Sequence, residues 1–438
     1  MSRIIQFSSG PVAYVMKRYP RLSETFIVNE IRAMERLGAD IRIFSLLPPE
    51  PPPHHPMTAE VSAPVAYLPA DGFEKWQRTL NAHAACLGAA PWRYLKAFAR
   101  AVQWSATSTS PAAVWKQFGR AGIVAAACRF QGVRHIHGHF ANAPTAVTQF
   151  ANLMTGISFS FTAHAKDLYL TPRNIIARRG AAASFIATCT GYNVQYLSEV
   201  LAPEHTAKIH LVYHGIDLDM FHNAPSALPT PRQGKLILSV GRLVPKKGHD
   251  TLIAACAILR DKGVKFNCKI VGGGPLREEL SAQITALGLE GLVSLEGAMT
   301  QAKLIELYRR ADLFALAPLI TEDGDRDGIP NVIVEAMATN VPVVSTAISG
   351  IPEIIRDGET GLLVPPKEPE ILSAAMARLL ADPAFGQVMA QAARSRLESE
   401  FDLWQTTTRL HQLMGCMDCT PQPNTSRFMA TAVMADAS

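Results

Sequence analysis

The chain has 438 residues, 48% hydrophobic and 18% charged, which leaves room for two or three ordinary domains with their own cores and is too apolar for a disordered chain. Its formal charge of +5 comes without a block of five or six basic residues or interleaved aromatics, so no nucleic-acid partner is expected. No apolar run reaches the ~18 residues that cross a bilayer, no signal-peptide pattern opens the chain, and seven scattered cysteines do not make a disulfide framework, so a cytoplasmic location is expected.

In chain order, "VAYVMKRY" and "ADIRIFSLL" read as strands on either side of the helical "SETFIVNEIRAMERLG", with Ser23 as N-cap and Gly38 just past the helix end. That is a βαβ unit and implies a parallel sheet. "PPEPPPHHP" at 48–56 must be loop, and residues 74–130 read as several helices. "HIHGHF" (135–140), the helix "PTAVTQFANLMTG", "SFSFTAH", "FIATCT" and "KIHLVYHGID" continue the alternation. The proline-rich "NAPSALPTPRQG" from residue 223 reads as a linker. Strand–helix alternation then restarts at "KLILSVGRL" and runs to about residue 414. The expected division is residues 1–222, residues 223–398, a helix at 399–415 packing back on the first domain, and a disordered tail at 416–438. Cys416 and Cys419 form a CxxC in that tail without the further ligands a structural zinc needs. Two tandem Rossmann-like units set a cleft between the carboxyl ends of two parallel sheets, where ligands bind.

Three stretches carry chemistry. In "GRLVPKKG", Arg242 and Lys247 follow a strand and precede a helix starting near His249, an arrangement suited to a diphosphate or, more plainly, a solvated basic turn. "VGGGP" (271–275) is a strand-to-helix glycine loop without dinucleotide spacing, and shows only that a backbone passes close to something. In "GDRDGIPNVIVEAMA" (324–338), Gly328 and Pro330 deny regular structure and leave the amides of Gly328, Ile329, Asn331 and Val332 open beside Asp327 and Glu335, a set suited to hydroxyl-rich ligands. Three other readings compete for this stretch: a calcium loop, in which Val334 stands where the bidentate acid belongs; a metal-binding D-x-D of Asp323 and Asp325; and a plain structural loop. His135, His137 and His139 share one strand face, with zinc, core packing and acceptor contact by His139 as alternatives.

"GRLVPKKG", "VGGGP", "D-G-I-P-x(4)-E" and "HGID…F" (214–221), in this order, resemble the retaining nucleotide-sugar glycosyltransferases of family 4, over roughly residues 10–412. "RYPRLSETFIVNEI" and "HIHGHFA" resemble the branch that builds exopolysaccharides such as colanic acid. The resemblance implies an α/β, two-domain GT-B architecture facing a cleft, a nucleotide diphosphate-sugar donor and a saccharide or lipid-linked acceptor. It assigns Glu335 to the donor ribose, Asp327 to the donor sugar, Arg242 and Lys247 to the diphosphate, and His164 of "FTAHAKDLY" to the reaction centre. Gly273 and Met299 join the donor side; Ser23, Glu24, Thr25 and His139 are acceptor-side candidates. The sequence departs from the family at Asp327, where a glutamate is usual, at Leu319, where a serine is usual, in extra residues before Asp327, and at "RYPRLSETF", which replaces a glycine-rich loop. These leave the donor sugar open.

The expected reaction is sugar transfer with retention, the departing diphosphate held by Arg242 and Lys247 without cofactor or metal. A non-catalytic nucleotide-sugar-binding protein of the same fold is the alternative; an oxidoreductase lacks its G-x-G-x-x-G. "WRYLKAFARAVQW" (92–104) sets Leu95, Phe98 and Val102 on one helical face near Arg93, Lys96 and Arg100. That face suits either an ordinary core helix or contact with the inner face of the cytoplasmic membrane.

Overall fold

The computed structural model describes residues 10–21, 24–51, 55–69, 73–221 and 234–415. Ser23, the 222/223 boundary with most of the linker after it, Cys416, Cys419 and the tail lie outside those residues.

The first unit is a seven-stranded sheet: β1 (Val12–Met16), β2 (Ile41–Ser45), β3 (Val65–Tyr67), β4 (His135–His139), β5 (Ser158–Ala163), β6 (Ile186–Thr188) and β7 (Ile209–Leu211). Its spatial order is β3-β2-β1-β4-β5-β6-β7. The second has six strands: β8 (Lys235–Val240), β9 (Phe266–Val271), β10 (Val293–Gly297), β11 (Leu313–Leu316), β12 (Val343–Thr346) and β13 (Leu362–Val364). These lie in the order β10-β9-β8-β11-β12-β13. Every pairing between them is parallel. Both orders reverse beside the unit's first strand, the Rossmann arrangement, so both switch points open at carboxyl ends of strands. Helices cover both faces, which is why β1, β8 and β11 are near-continuous apolar runs rather than alternating ones.

Local sequence accounts for the elements. Helix Thr25–Arg36 buries Ile27, Val28, Ile31 and Met34, one face at helical spacing. Gly38 follows it at φ +89 and donates its N–H to Glu35 O at 2.9 Å, closing the helix. Glu24 occupies the N-cap position without a side-chain cap. Residues 74–130 resolve into Phe73–Ala89, Pro91–Ala106 and Pro111–Phe130.

The chain crosses between the units twice. After β7 it leads through Ile216, whose backbone exchanges hydrogen bonds with Phe401 and Leu403 at 2.9 and 3.1 Å. Helix Leu403–Gly415 then returns to the first unit, where Leu410 and Met414 join a core with Tyr14, Ile27 and Ile31. Arg134 fixes its end by donating to Met414 O at 3.0 Å.

Candidate functional site

The basic loop after β8 is built on close backbone approaches. A β-carbon at Gly248 would lie 1.7 Å from Ala317 O, and Gly248 adopts φ +61, so only glycine fits where helix His249–Asp261 begins. A β-carbon at Gly272 would lie 1.9 Å from Gly241 O. The partner that the glycine loop approaches is therefore the "GRL" backbone. Leu243 N donates to Gly273 O at 3.0 Å across the same contact, while Gly273 itself faces open space. Arg242 is exposed on this ledge and Met299 is half-buried nearby in the loop after β10.

Lysine pairing draws the ledge to the opening of the next loop. Lys247 Nζ lies 2.6 Å from Asp327 Oδ2, and Lys246 Nζ lies 3.1 Å from Asp327 Oδ1 and 3.0 Å from Asp325 Oδ1. Burial pushes the Asp327 carboxyl up, but the Lys247 and Lys246 ammonium groups outweigh it and hold it below the usual carboxylate range. The sequence does not mark Lys246, because nothing local shows that both ammonium groups of the doubled lysine turn inward onto one acid. Asp323 accepts from Thr321 Oγ1 at 2.5 Å and from the Asp325 amide at 3.2 Å. Its neighbour Asp325 is spent on lysines.

Pro330 is the N-cap of helix Asn331–Ala338 and no side chain caps its first amides. One turn in, Glu335 is half-buried and accepts from Tyr308 Oη at 3.0 Å. Burial raises its carboxyl to about 7 against that hydrogen bond and the charge of Lys247. Glu335 and Asn331 line a narrow pocket together with Thr25, Phe26 and His214; a second, smaller one adjoins Cys189 and Ile329. Thr25 thus stands on the cleft, while Glu24 is tied to Arg21 at 2.6 Å.

The opposite wall is aromatic. His164 is buried at the start of helix Ala165–Tyr169, with ring centroids 5.1 Å from Phe26, 4.5 Å from Phe140 and 5.0 Å from His214. Asp167 positions it, accepting from the His164 amide at 3.0 Å and from the Ala141 amide. Burial, reinforced by His214 and His139, holds the His164 imidazole well below its usual value, so it is neutral. His139 does not reach the cleft: it is fully buried behind His164, 3.2 Å from Glu30. His135 and His137 spend their ring nitrogens on Ser158, Ser160 and Thr162 at 2.7–3.0 Å, a core role rather than a zinc triad.

Among the described residues one group has metal-ligand donors within 4.8 Å of one another: His164, Cys189 and His214. Burial pushes the Cys189 thiol up to about 12 and His214 down to about 4. The cluster is therefore neutral, and its two neutral imidazoles could accept from a hydroxyl or bind a cation.

The cleft is shut by contacts that local sequence does not announce. Glu353 of the second unit accepts from the amides of Gly191 and Tyr192 at 2.6 and 2.8 Å, capping helix Gly191–Val200 of the first. Arg326 donates to Tyr192 Oη at 3.1 Å and stacks over Tyr169, and Lys166 meets Asp325 at 3.2 Å. A β-carbon on Gly328 would sit 3.2 Å from Thr190 Cγ2. Admitting a nucleotide with its sugar therefore takes a wider gap than the one present. Glu353→Ala leaves the Gly191 and Tyr192 amides uncapped and is expected to increase the radius of gyration in solution scattering; an unchanged profile would show that this cap does not hold the units together.

Residues 221–396 match the family model for group 1 glycosyl transferases. The Erwinia amylovora glycosyltransferase AmsK, named for amylovoran biosynthesis, is 38% identical over 196 residues, which cover 44% of this chain and 47% of that one. The Escherichia coli (strain K12) glycosyltransferase WcaL, named for colanic acid biosynthesis, is 28% identical over 89% of this chain and 96% of its own. The solved structure of Anabaena Alr3699/HepE in complex with UDP superposes with a TM-score of 0.70 at 16% identity, over 93% of this chain and 100% of that one. Sucrose-phosphate synthase from Thermosynechococcus elongatus gives 0.70 at 18% identity over 93% and 98%. Their shared two-unit frame is GT-B.

Proposed function

We propose that this chain, a GT-B glycosyltransferase whose residues 221–396 form the group 1 domain, moves a sugar from a nucleotide diphosphate donor to a hydroxyl of a saccharide or lipid-linked acceptor, with retention, in exopolysaccharide assembly. The observation that carries it is the meeting, at one strand-end cleft, of the Lys246–Lys247 pair with Asp327, the uncapped amides at the start of helix Asn331–Ala338, and Glu335.

In this reading Arg242 and Lys247, beside the N-terminus of helix His249–Asp261, take the diphosphate charge that grows as the glycosidic bond breaks. Lys246 adds a third cation. Glu335 accepts from ribose hydroxyls, while Gly328, Ile329, Asn331 and Val332 offer amides to the donor, bracketed by Gly273 and Met299. Asp327 orients the sugar and the lysines together, and neutral His164 offers a ring nitrogen beside the reacting carbon. Support for front-face attack comes from the carboxylates near His164: Asp167 is held by amides and Glu30 by Tyr14 at 2.9 Å, so neither is free as a covalent nucleophile. The names of the two relatives support an exopolysaccharide product.

The test is a screen of UDP-, GDP- and dTDP-sugars by thermal shift, followed by turnover of stabilising donors in excess EDTA. Turnover that survives EDTA is expected. Loss restored by manganese would transfer the role to Asp323 and Asp325, and binding without turnover on any acceptor would mark a binding protein. Lys247→Ala should weaken the free nucleotide diphosphate by about 1.5–3 kcal/mol, the range for a hydrogen bond to a charged group; unchanged affinity refutes the clamp.

A further inference from the structure

The three helices over one face of the first sheet are turned inside out. Helix Pro91–Ala106 buries Ala97 and Ala101 completely, yet Trp92, Leu95, Phe98 and Val102, at helical spacing on another face, are 84%, 51%, 43% and 47% exposed. Phe98 continues onto exposed Trp115 of helix Pro111–Phe130, ring centroids 5.6 Å apart. Helix Phe73–Ala89 adds Trp76 and Leu80, 68% and 65% exposed. Register joins these side chains: Thr79 faces Gly119, and Phe98 faces Trp115. Because the last helix runs into β4 from the carboxyl-end side of the sheet, its first turns, with Trp115, lie at the end where the cleft opens. An apolar surface of this extent on a soluble protein marks a partner.

Charge says which partner. Residues 73–130 hold eight lysines and arginines and one acid, Glu74, a net +7, against +5 for the whole chain, so the remaining 380 residues are net −2. Arg93, Lys96 and Arg100 flank the apolar stripe and are exposed. A second copy of the chain would bring like charge against like. A bilayer with anionic headgroups offers both what the aromatic and leucine side chains need and what the cations need.

We propose that this three-helix face docks the protein on an anionic membrane surface, the apolar stripe entering the headgroup boundary and the flanking cations pairing with lipid phosphates. This holds independently of the donor and acceptor reading. The alternative of an ordinary core helix at 92–104 is set aside by the exposure of Leu95, Phe98 and Val102.

Co-sedimentation of the full chain with phosphatidylcholine vesicles, with and without phosphatidylglycerol, tests it. Binding at least ten-fold stronger to the anionic vesicles, weakened by added salt, is expected. Leu95→Ser with Phe98→Ser, and separately Lys96→Glu with Arg100→Glu, should each cut partitioning ten-fold or more at unchanged melting temperature. The charge pair lies wholly at the surface, so it decides the matter even where the apolar pair costs stability. Equal binding to neutral vesicles, no binding to either, or wild-type partitioning by the charge-reversed variant overturns the proposal. So does a concentration-dependent dimer that the apolar pair dissolves.

Discussion

Asparagine in place of Asp327 is expected to lower kcat by on the order of 100-fold, the effect of small misplacement at a reacting centre, without weakening the free nucleotide diphosphate. The geometry separates these two effects. Asp327 is buried against Lys246 and Lys247, whose charges keep its carboxyl ionised through the physiological range. An amide of the same shape keeps the volume and loses the charge, so both ammonium groups turn to whatever anion is present. A diphosphate then competes with no carboxylate and should bind as well or better. The donor sugar loses its acid, and the lysines lose the anchor that holds them where the leaving group departs, so chemistry suffers. Steady-state kinetics beside calorimetric titration of the nucleotide diphosphate reads both. A fall in affinity matched to the fall in kcat would show that Asp327 orders the lysines only, and wild-type behaviour would reduce the stretch to a structural loop. Asp327→Glu, restoring the missing methylene, is the companion test of donor choice.

The tandem α/β plan was legible because parallel strands buried on both faces are apolar throughout, as "KLILSV" and "LFAL" are, and because glycines mark the loops between elements. Strand β3 is not legible: three residues at a sheet edge, two of them exposed, carry no pattern. The pairing of Lys247 with Asp327 spans eighty positions, and the contact of Glu353 with Gly191 spans 162; no local period encodes either. Lys166 and Arg326 acquire their meaning only when the two sheets face each other, and Lys246 only when the loops after β8 and β11 meet within the second unit. His214 opens the "HGID" motif, yet its place against Phe26, stacked at 4.2 Å, depends on the crossing of the chain after β7. Helix 92–104 shows the converse limit. Periodicity finds an apolar stripe but not the side it faces, and here the close-packed side admits only Ala97 and Ala101.

Glu335 supplies the other large expected effect, and it is a pH dependence. Burial raises its carboxyl to about 7, so between the ordinary carboxylate range and pH 7 the folded chain holds a proton that the unfolded chain has released. The folded-state value is the higher one; stability from this group is therefore full at low pH and lost as pH rises through about 7. Glu335→Gln, permanently neutral, escapes that loss and is expected to be more stable than wild type at pH 8 by roughly 1–2 kcal/mol, and little changed at pH 5. Donor binding moves the opposite way. The ionised carboxylate accepts ribose hydroxyl protons better than the acid, so the wild-type KM for the donor should fall as pH passes from 6 to 8. Because the ribose contact is the same in ground and transition states, Glu335→Gln should raise KM more than it lowers kcat, and its KM should no longer respond to pH. Tyr308→Phe removes the donor at 3.0 Å that favours the charged form, and should shift the wild-type step to higher pH. A flat wild-type profile, or a step that persists in Glu335→Gln, would place the titrating group elsewhere and take the ribose from Glu335.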